Sequence, residues 1–248
     1  MKFQFMSNRV RIEMELAVNW LSGRVGHGKT NQKDWEKLIR LYQFLRNNRD
    51  SKIYFRKKEK MELQVYIDAS HACHEDRTSR TGAITTLCGG AISVVSKKQR
   101  LVAKDSTEAE IIGLTDQIVK PLWCRHVFMW IVGLSEENMD PIKIYQDNNA
   151  CISLQRTGPK PNHKSKYIDI RHFWAGSLED ENIISIIRCG TKCMLADINT
   201  KPKHGIIFMV LWKRSTGELF GWNVNDDDWN AAEQIALLNN DRSTSGGV

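Results

Sequence analysis

Four acidic residues stand at positions where a chain commonly ends one element and begins another. Asp68 closes the alternating run Leu63-Gln64-Val65-Tyr66-Ile67-Asp68, and Asp147 follows the short run Ile142 to Gln146. Glu110 falls in the first turns of a helix opened by Asp105-Ser106-Thr107-Glu108, and Asp197 opens a helix after Met194-Leu195-Ala196. Converging carboxylates repel by about 3 kcal/mol per close pair at ~5 Å and an effective dielectric near 20, so something cationic must offset them. Hard divalent ions bind through carboxylate oxygens, Mg²⁺ keeping several of its waters. Two such ions about 4 Å apart activate a water and stabilise the leaving 3′ oxygen in phosphodiester hydrolysis. Any one of these acids alone says little, because turn and helix-dipole preferences also place acids at strand ends and helix starts.

The elements that would position them follow from periodicity. Leu63 to Asp68 alternates as a strand; Thr81 to Leu87 and Ala91 to Ser96 are β-branched runs joined by the turn-like Cys88-Gly89-Gly90. A capped helix follows from Asp105, with Ile111, Leu114, Ile118, Leu122 and Trp123 on its apolar face and Pro121 expected to kink it. Ile142 to Gln146 is a fourth strand, Asn148 to Leu154 and Ile168 to Leu178 are helices, and Asn182 to Arg188 is a fifth strand. Antiparallel strands followed by helical crossovers predict an α/β fold with a mixed sheet and helices on both faces. With the first and fourth strands as neighbours, Asp68 and Asp147 lie side by side.

Upstream, residues 10–22 suit a helix. Trp35, Leu38, Ile39, Tyr42 and Leu45 recur at helical spacing between basic residues, which predicts an amphipathic helix over 31–46 with a basic outer face. Residues 50–60 form a charged connector.

The 248 residues carry a net charge of +7, unevenly placed. Residues 1–60 hold fifteen basic and six acidic side chains, whereas 223–248 hold five acids and one base. A basic surplus of this kind suits a polyanionic partner, although a merely soluble basic surface fits it equally well. No apolar run approaches the roughly 20 residues of a membrane span, and the first residues lack a secretory pattern. The six cysteines are expected as reduced, mostly buried thiols of a cytoplasmic or nuclear protein. Neither Cys189 with Cys193 nor His71, Cys73 and His74 has zinc-ligand spacing.

Seven segments resemble, in order, the motifs of the ribonuclease H domain in copia-type LTR retrotransposon polyproteins. They are Tyr66-Ile67-Asp68-Ala69-Ser70, Arg80-Thr81-Gly82-Ala83, Ser96-Lys97-Lys98-Gln99-Arg100, Ser106-Thr107-Glu108-Ala109-Glu110, Tyr145-Gln146-Asp147-Asn148-Asn149, His163 to Arg171, and Ala196-Asp197-Ile198-Asn199-Thr200-Lys201-Pro202. The resemblance covers roughly residues 15–212, and the helix around Trp35 resembles the segment joining reverse transcriptase to that domain. It implies a ribonuclease H-like mixed five-stranded sheet and cleavage of the RNA strand of an RNA–DNA hybrid. Asp68, Glu110, Asp147 and Asp197 would then be the catalytic acids and ligands of two Mg²⁺ ions, with Mn²⁺ as a substitute. Asn149 is a candidate for reading the 2′-hydroxyl, with a helix-start role as its equal alternative. Ser70, Lys97, Lys98 and Gln99 are the remaining substrate-binding candidates. The implied partners are the hybrid and the reverse transcriptase portion of a parent polyprotein.

The expected organisation is a basic helical connection segment over 1–60, the ribonuclease H-like domain over 61–204, and a partly flexible C-terminal extension over 205–248. A fragment that keeps the fold and binds nucleic acid without turnover is the alternative. A third reading comes from Gly23-Arg24-Val25-Gly26-His27-Gly28-Lys29-Thr30, which fits the phosphate-loop pattern. Such a loop should follow a buried strand, and Ala17 to Ser22 reads instead as the end of a helix.

Overall fold

A computed structural model describes residues 2–25, 30–56, 62–157 and 166–219, the backbone alone over 166–172. In chain order the helices and strands are α1 (Lys2–Ser7), α2 (Glu15–Ser22), α3 (Gln32–Asn47), β1 (Leu63–Ser70), β2 (Arg80–Leu87) and β3 (Gly90–Lys98). They continue with α4 (Ser106–Val132), β4 (Ile142–Gln146), α5 (Asn149–Thr157), α6 (Lys166–Asp180), β5 (Ile184–Arg188), α7 (Asp197–Thr200) and α8 (Gly205–Ser215).

The strands form one five-stranded sheet in the order β3-β2-β1-β4-β5. β1 to β3 pair antiparallel, and β1, β4 and β5 pair parallel. Cys88 and Gly89 both take positive φ, 48° and 93°, which gives the β2–β3 hairpin the backbone twist its strands need. β1 and β4 are in register through Tyr66 and Tyr145, whose rings stack at 4.6 Å. Two residues beyond that pair, at the carboxyl ends of both strands, come Asp68 and Asp147. This is the mixed five-stranded sheet, flanked by helices, that the sequence led us to expect.

Strand alternation splits the core in two. Val65, Ile67, Ile144 and Ile186 pack on one face against Ile111, Leu114 and Ile118 of α4 and against α5 and α6. Tyr66, Ile84, Val94 and Tyr145 pack on the other against Ile12, Leu195, Ile198 and the α8 residues Val210 and Leu211. Each such aliphatic side chain contributes about 1.5–3 kcal/mol when fully buried. Packing therefore runs past residue 204, into the stretch expected as an extension, because the second sheet face needs α8 to cover it.

The amino-terminal helices are attached to the same sheet. Arg80, at the start of β2, donates to Asn19 Oδ1 (2.8 Å) and lies over the Trp20 ring, which stacks on His74. In the connector, the Tyr54 amide donates to Thr216 O and the Arg56 amide to Cys88 O. α3 starts with a capping box between Asn31 and Asp34, but its burial differs from the expected stripe. Leu41 and Leu45 are buried while Trp35, Ile39 and Tyr42 are exposed, since α3 meets the rest through a face offset from the one its periodicity marks.

α4 also departs from expectation at its far end. It runs unbroken through Pro121 to Gly133, whose φ of 70° makes a left-handed cap. Trp123, expected on the buried face, is 63% exposed. At 1.5 Å per residue α4 is about 40 Å long, whereas an eight-residue strand spans roughly 26 Å, so its second half outruns the sheet. Among the described residues no helix is long and apolar enough to cross a membrane. None of the six cysteines, all among the described residues, is in a disulfide, and Cys124, Cys151, Cys189 and Cys193 are buried.

Candidate active site

The sheet order places β1 and β4 at its centre, and their carboxyl ends carry Asp68 and Asp147. α4 delivers Glu110 to the same place. Its start is fixed by Asp105, whose carboxylate accepts the Glu108 amide (2.8 Å), and by Gln99, whose amide donates to Ala109 O and Thr81 Oγ1 (2.9 Å each). Asp68, Glu110 and Asp147 each bring a carboxylate oxygen within 4.8 Å of the others. Among the described residues this is the one cluster with metal-binding geometry.

Asp197 opens α7, which sits close to β2 because Gly82 has no side chain. A Cβ there would lie 2.7 Å from Thr200 Cγ2 and 2.8 Å from Ala196 O. From that turn the Thr200 hydroxyl donates to Asp68 Oδ2. Lys201 Nζ lies 2.9 Å from Asp197 Oδ1 and 3.4 Å from Asp68, and Lys203 Nζ lies 2.7 Å from Asp197 Oδ2. Asp197 thus meets Asp68 through a shared lysine.

The electrostatics follow from burial. Asp68 and Glu110 are 1% and 3% exposed. Burial pushes the Asp68 carboxyl up to about 6, against the pull of Lys201 and with repulsion from Asp197 adding to it. Glu110 goes up to about 9, through burial first and then repulsion from Asp68 and Asp147. Asp147 is raised as well, again chiefly by burial. Gln146 is the neutral partner among them: its amide nitrogen donates to Glu110 (3.3 Å), while its oxygen accepts the amides of Asp147 and Asn148. Two buried carboxylates and a half-buried third, all with raised proton affinity and offering only oxygen donors, fit a hard divalent ion, which would displace the proton.

No family model matches the chain. Over 171 residues it is 30% identical to the Retrovirus-related Pol polyprotein from transposon TNT 1-94 of Nicotiana tabacum, across 68% of this chain and 12% of that protein. Over 199 residues it is 28% identical to the Retrovirus-related Pol polyprotein from transposon RE2 of Arabidopsis thaliana, across 80% of this chain and 13% of that one. This chain is a homologue of copia-type retrotransposon Pol polyproteins. It spans only 12–13% of the length of these two curated Pol relatives. Among solved structures, LC11-RNase H1 in complex with an RNA/DNA hybrid superposes with a TM-score of 0.35 at 9% identity, over 54% of this chain and 88% of that one.

In this Pol homologue the other candidate residues take varied positions. Asn149 is exposed at the start of α5, and its amide oxygen accepts from Arg188 (2.9 Å). The helix-capping role beside it belongs to Asn148, which accepts the Cys151 amide. Ser70 ends β1 opposite Arg80. Lys97 is exposed, Lys98 is paired with Asp76, and Gln99 is buried in its bonds to Thr81 and Ala109. Gln99 therefore orients α4 rather than facing solvent. Of the phosphate-loop candidate, residues 26–29 lie outside the described residues; the element before it is the helix α2. Sequence reasoning gave no role to Gln146, Thr200, Lys201 and Lys203, all of which touch the acids. Lys201 carried a readable signal, being four residues after Asp197 on one helical turn.

Proposed function

We propose that this chain hydrolyses the RNA strand of RNA–DNA hybrids, using Mg²⁺ held by Asp68, Glu110, Asp147 and Asp197. The observation that carries the reading is the grouping of Asp68 and Asp147, at the carboxyl ends of two adjacent parallel strands, with Glu110 of α4, one carboxylate oxygen from each lying within 4.8 Å of the others. Homology to Pol polyproteins and the ribonuclease H-like sheet order support it. Bound there, the ions would supply an activated water and a counter-charge for the leaving 3′ oxygen, two positions suiting the four acids and Mn²⁺ able to substitute. The protein side holds the carboxylates in place: Gln146 orients Glu110, Thr200 orients Asp68, and Gln99 fixes the start of α4. Asn149 is the donor we assign to the RNA 2′-hydroxyl, through its amide nitrogen, and Lys97 is a phosphate contact. A further partner is the reverse transcriptase portion of a parent polyprotein, joined through the basic amino-terminal segment.

Cleavage of a labelled RNA–DNA hybrid in Mg²⁺ tests the reading. The expected result is cutting of the RNA strand alone, lost more than about 100-fold in Asp68→Asn or Asp147→Asn, since even indirect partners of a metal cost about 10–100-fold. Hybrid binding should persist in both variants. Binding without cutting by the unmutated chain supports a non-catalytic module instead.

A further inference from the structure

The cation already standing among the acids is Lys201. Its ammonium lies 2.9 Å from Asp197 Oδ1 and 3.4 Å from Asp68. The side chains of both acids are only 2% exposed, whereas that of Lys201 is 40% exposed, so the stem enters from the solvent side and the charged head reaches inward. The turn that carries Lys201 is fixed: its amide donates to Asp197 O (3.0 Å), and its neighbour Thr200 donates to Asp68. The remaining three-acid grouping of Asp68, Glu110 and Asp147 converges without Asp197.

Resting on the nuclease reading of this site, we propose that Lys201 gates the second divalent-ion position. Its ammonium occupies the space between Asp68 and Asp197, so a second ion enters only when the lysine swings out. A divalent ion and an ammonium cannot share these two carboxylates, because like charges a few ångströms apart repel strongly where water is scarce. The swing needs no backbone movement, since lysine is a point charge on a flexible four-carbon stem that hydrates readily. Metal loading is therefore sequential. The first ion takes Asp68, Glu110 and Asp147, and the second binds at least about ten-fold more weakly until the lysine leaves.

The test counts Mn²⁺ ions bound to the full chain, with free Mn²⁺ followed by electron paramagnetic resonance. The expected result for the native chain is one ion bound first and a second at least about ten-fold weaker. Lys201→Met should tighten the second ion by about ten-fold or more, whereas Lys201→Arg, which keeps the charge, should leave the gap open. Without metal, Lys201→Met should unfold at a lower temperature than the native chain, and Mn²⁺ should raise its midpoint further than it raises the native one. That second measurement reads the same preference if the variant is only marginally folded. An unchanged or weaker second ion in Lys201→Met, with equal thermal shifts, overturns the gate. Cleavage plays no part in these readouts. Hybrid cutting with no gain in second-ion affinity in Lys201→Met sinks the gate alone, and the expected ion binding with no hybrid cutting sinks the nuclease reading alone.

Discussion

Glu110 and Asp197 are both buried acids beside Asp68, yet they are kept there in opposite ways. Glu110 faces the neutral amide of Gln146 and two other carboxylates, and its proton affinity rises until it holds its proton at neutral pH. Asp197 instead has a lysine on each oxygen, at 2.9 and 2.7 Å. A buried carboxyl can thus be neutralised by a proton or by a cation. The first solution suits an incoming metal that displaces only a proton. The second fixes the acid in place before any metal arrives and makes an ion compete with a side chain.

Replacing each acid by its amide should break this comparison most visibly. Glu110→Gln should abolish hybrid cleavage by more than about 100-fold, as loss of a direct ligand exceeds loss of an indirect one. It should also stabilise the metal-free chain at pH 8, on the order of 3 kcal/mol, because the cost of keeping a proton on Glu110 disappears. Asp197→Asn should have the opposite sign, losing about 1–2 kcal/mol, since Lys201 and Lys203 lose their partner but can turn to solvent. Urea unfolding in chelator separates the two. Stability falling in both variants would remove the distinction.

The pH dependence of the metal-free chain sharpens the same point. Glu110 has a folded-state affinity of about 9 against an ordinary 4.5, and Asp68 about 6 against 3.8. A group with a raised folded value stabilises fully below its unfolded value and loses that contribution as pH rises through the folded one. Stability should therefore decline between about pH 4 and pH 9 in chelator. Mg²⁺ should flatten the decline by replacing the proton. A thermal midpoint that rises with pH over this window would contradict the protonated Glu110.

The contrast also explains what the sequence could and could not disclose. Asp68, Glu110, Asp147 and Asp197 were legible because each sits at an element boundary, and alternation in Leu63 to Asp68 and capping at Asp105 are local signals. The antiparallel hairpin was legible for the same reason, through Cys88-Gly89-Gly90. Lys201 reaching Asp68 was not, because that contact joins residues far apart in sequence and depends on how closely α7 approaches β2. The place of α8 in the core was not legible either, because Val210 and Leu211 cover a sheet face made of residues far away in sequence, Tyr66, Ile84 and Tyr145 among them. Trp35, Ile39 and Tyr42 mark the opposite failure, a clean helical stripe that the fold leaves outside.

Gly82→Ala probes that close approach directly. The added methyl would meet Thr200 and the backbone of Ala196 below 3.0 Å, so α7 must move away from β2. The expected cost is about 1–3 kcal/mol, the range for overpacking a tight contact. The displacement should loosen Thr200 and Lys201 from Asp68 while the strand-borne Asp68 and Asp147 stay in register. The first Mn²⁺ should then bind nearly as in the native chain, and the second should change. An equal effect on both ions would mean that α7 and the triad move as one body.

The smallest expected effect belongs to Lys203→Met. Lys203 touches only Asp197 Oδ2, whereas Lys201 on the other oxygen also reaches Asp68. Removing Lys203 leaves Asp197 with one cation still in place, and the side chain of Lys203 is partly exposed, so water replaces it at modest cost. A stability loss below about 1 kcal/mol is expected, in keeping with a partly screened pair. Because Lys203 does not stand between the two carboxylates, second-ion affinity should move far less than in Lys201→Met. A shift as large as that of Lys201→Met would mean that total positive charge near Asp197, and not the position of one ammonium between two acids, governs how the cluster takes its second ion.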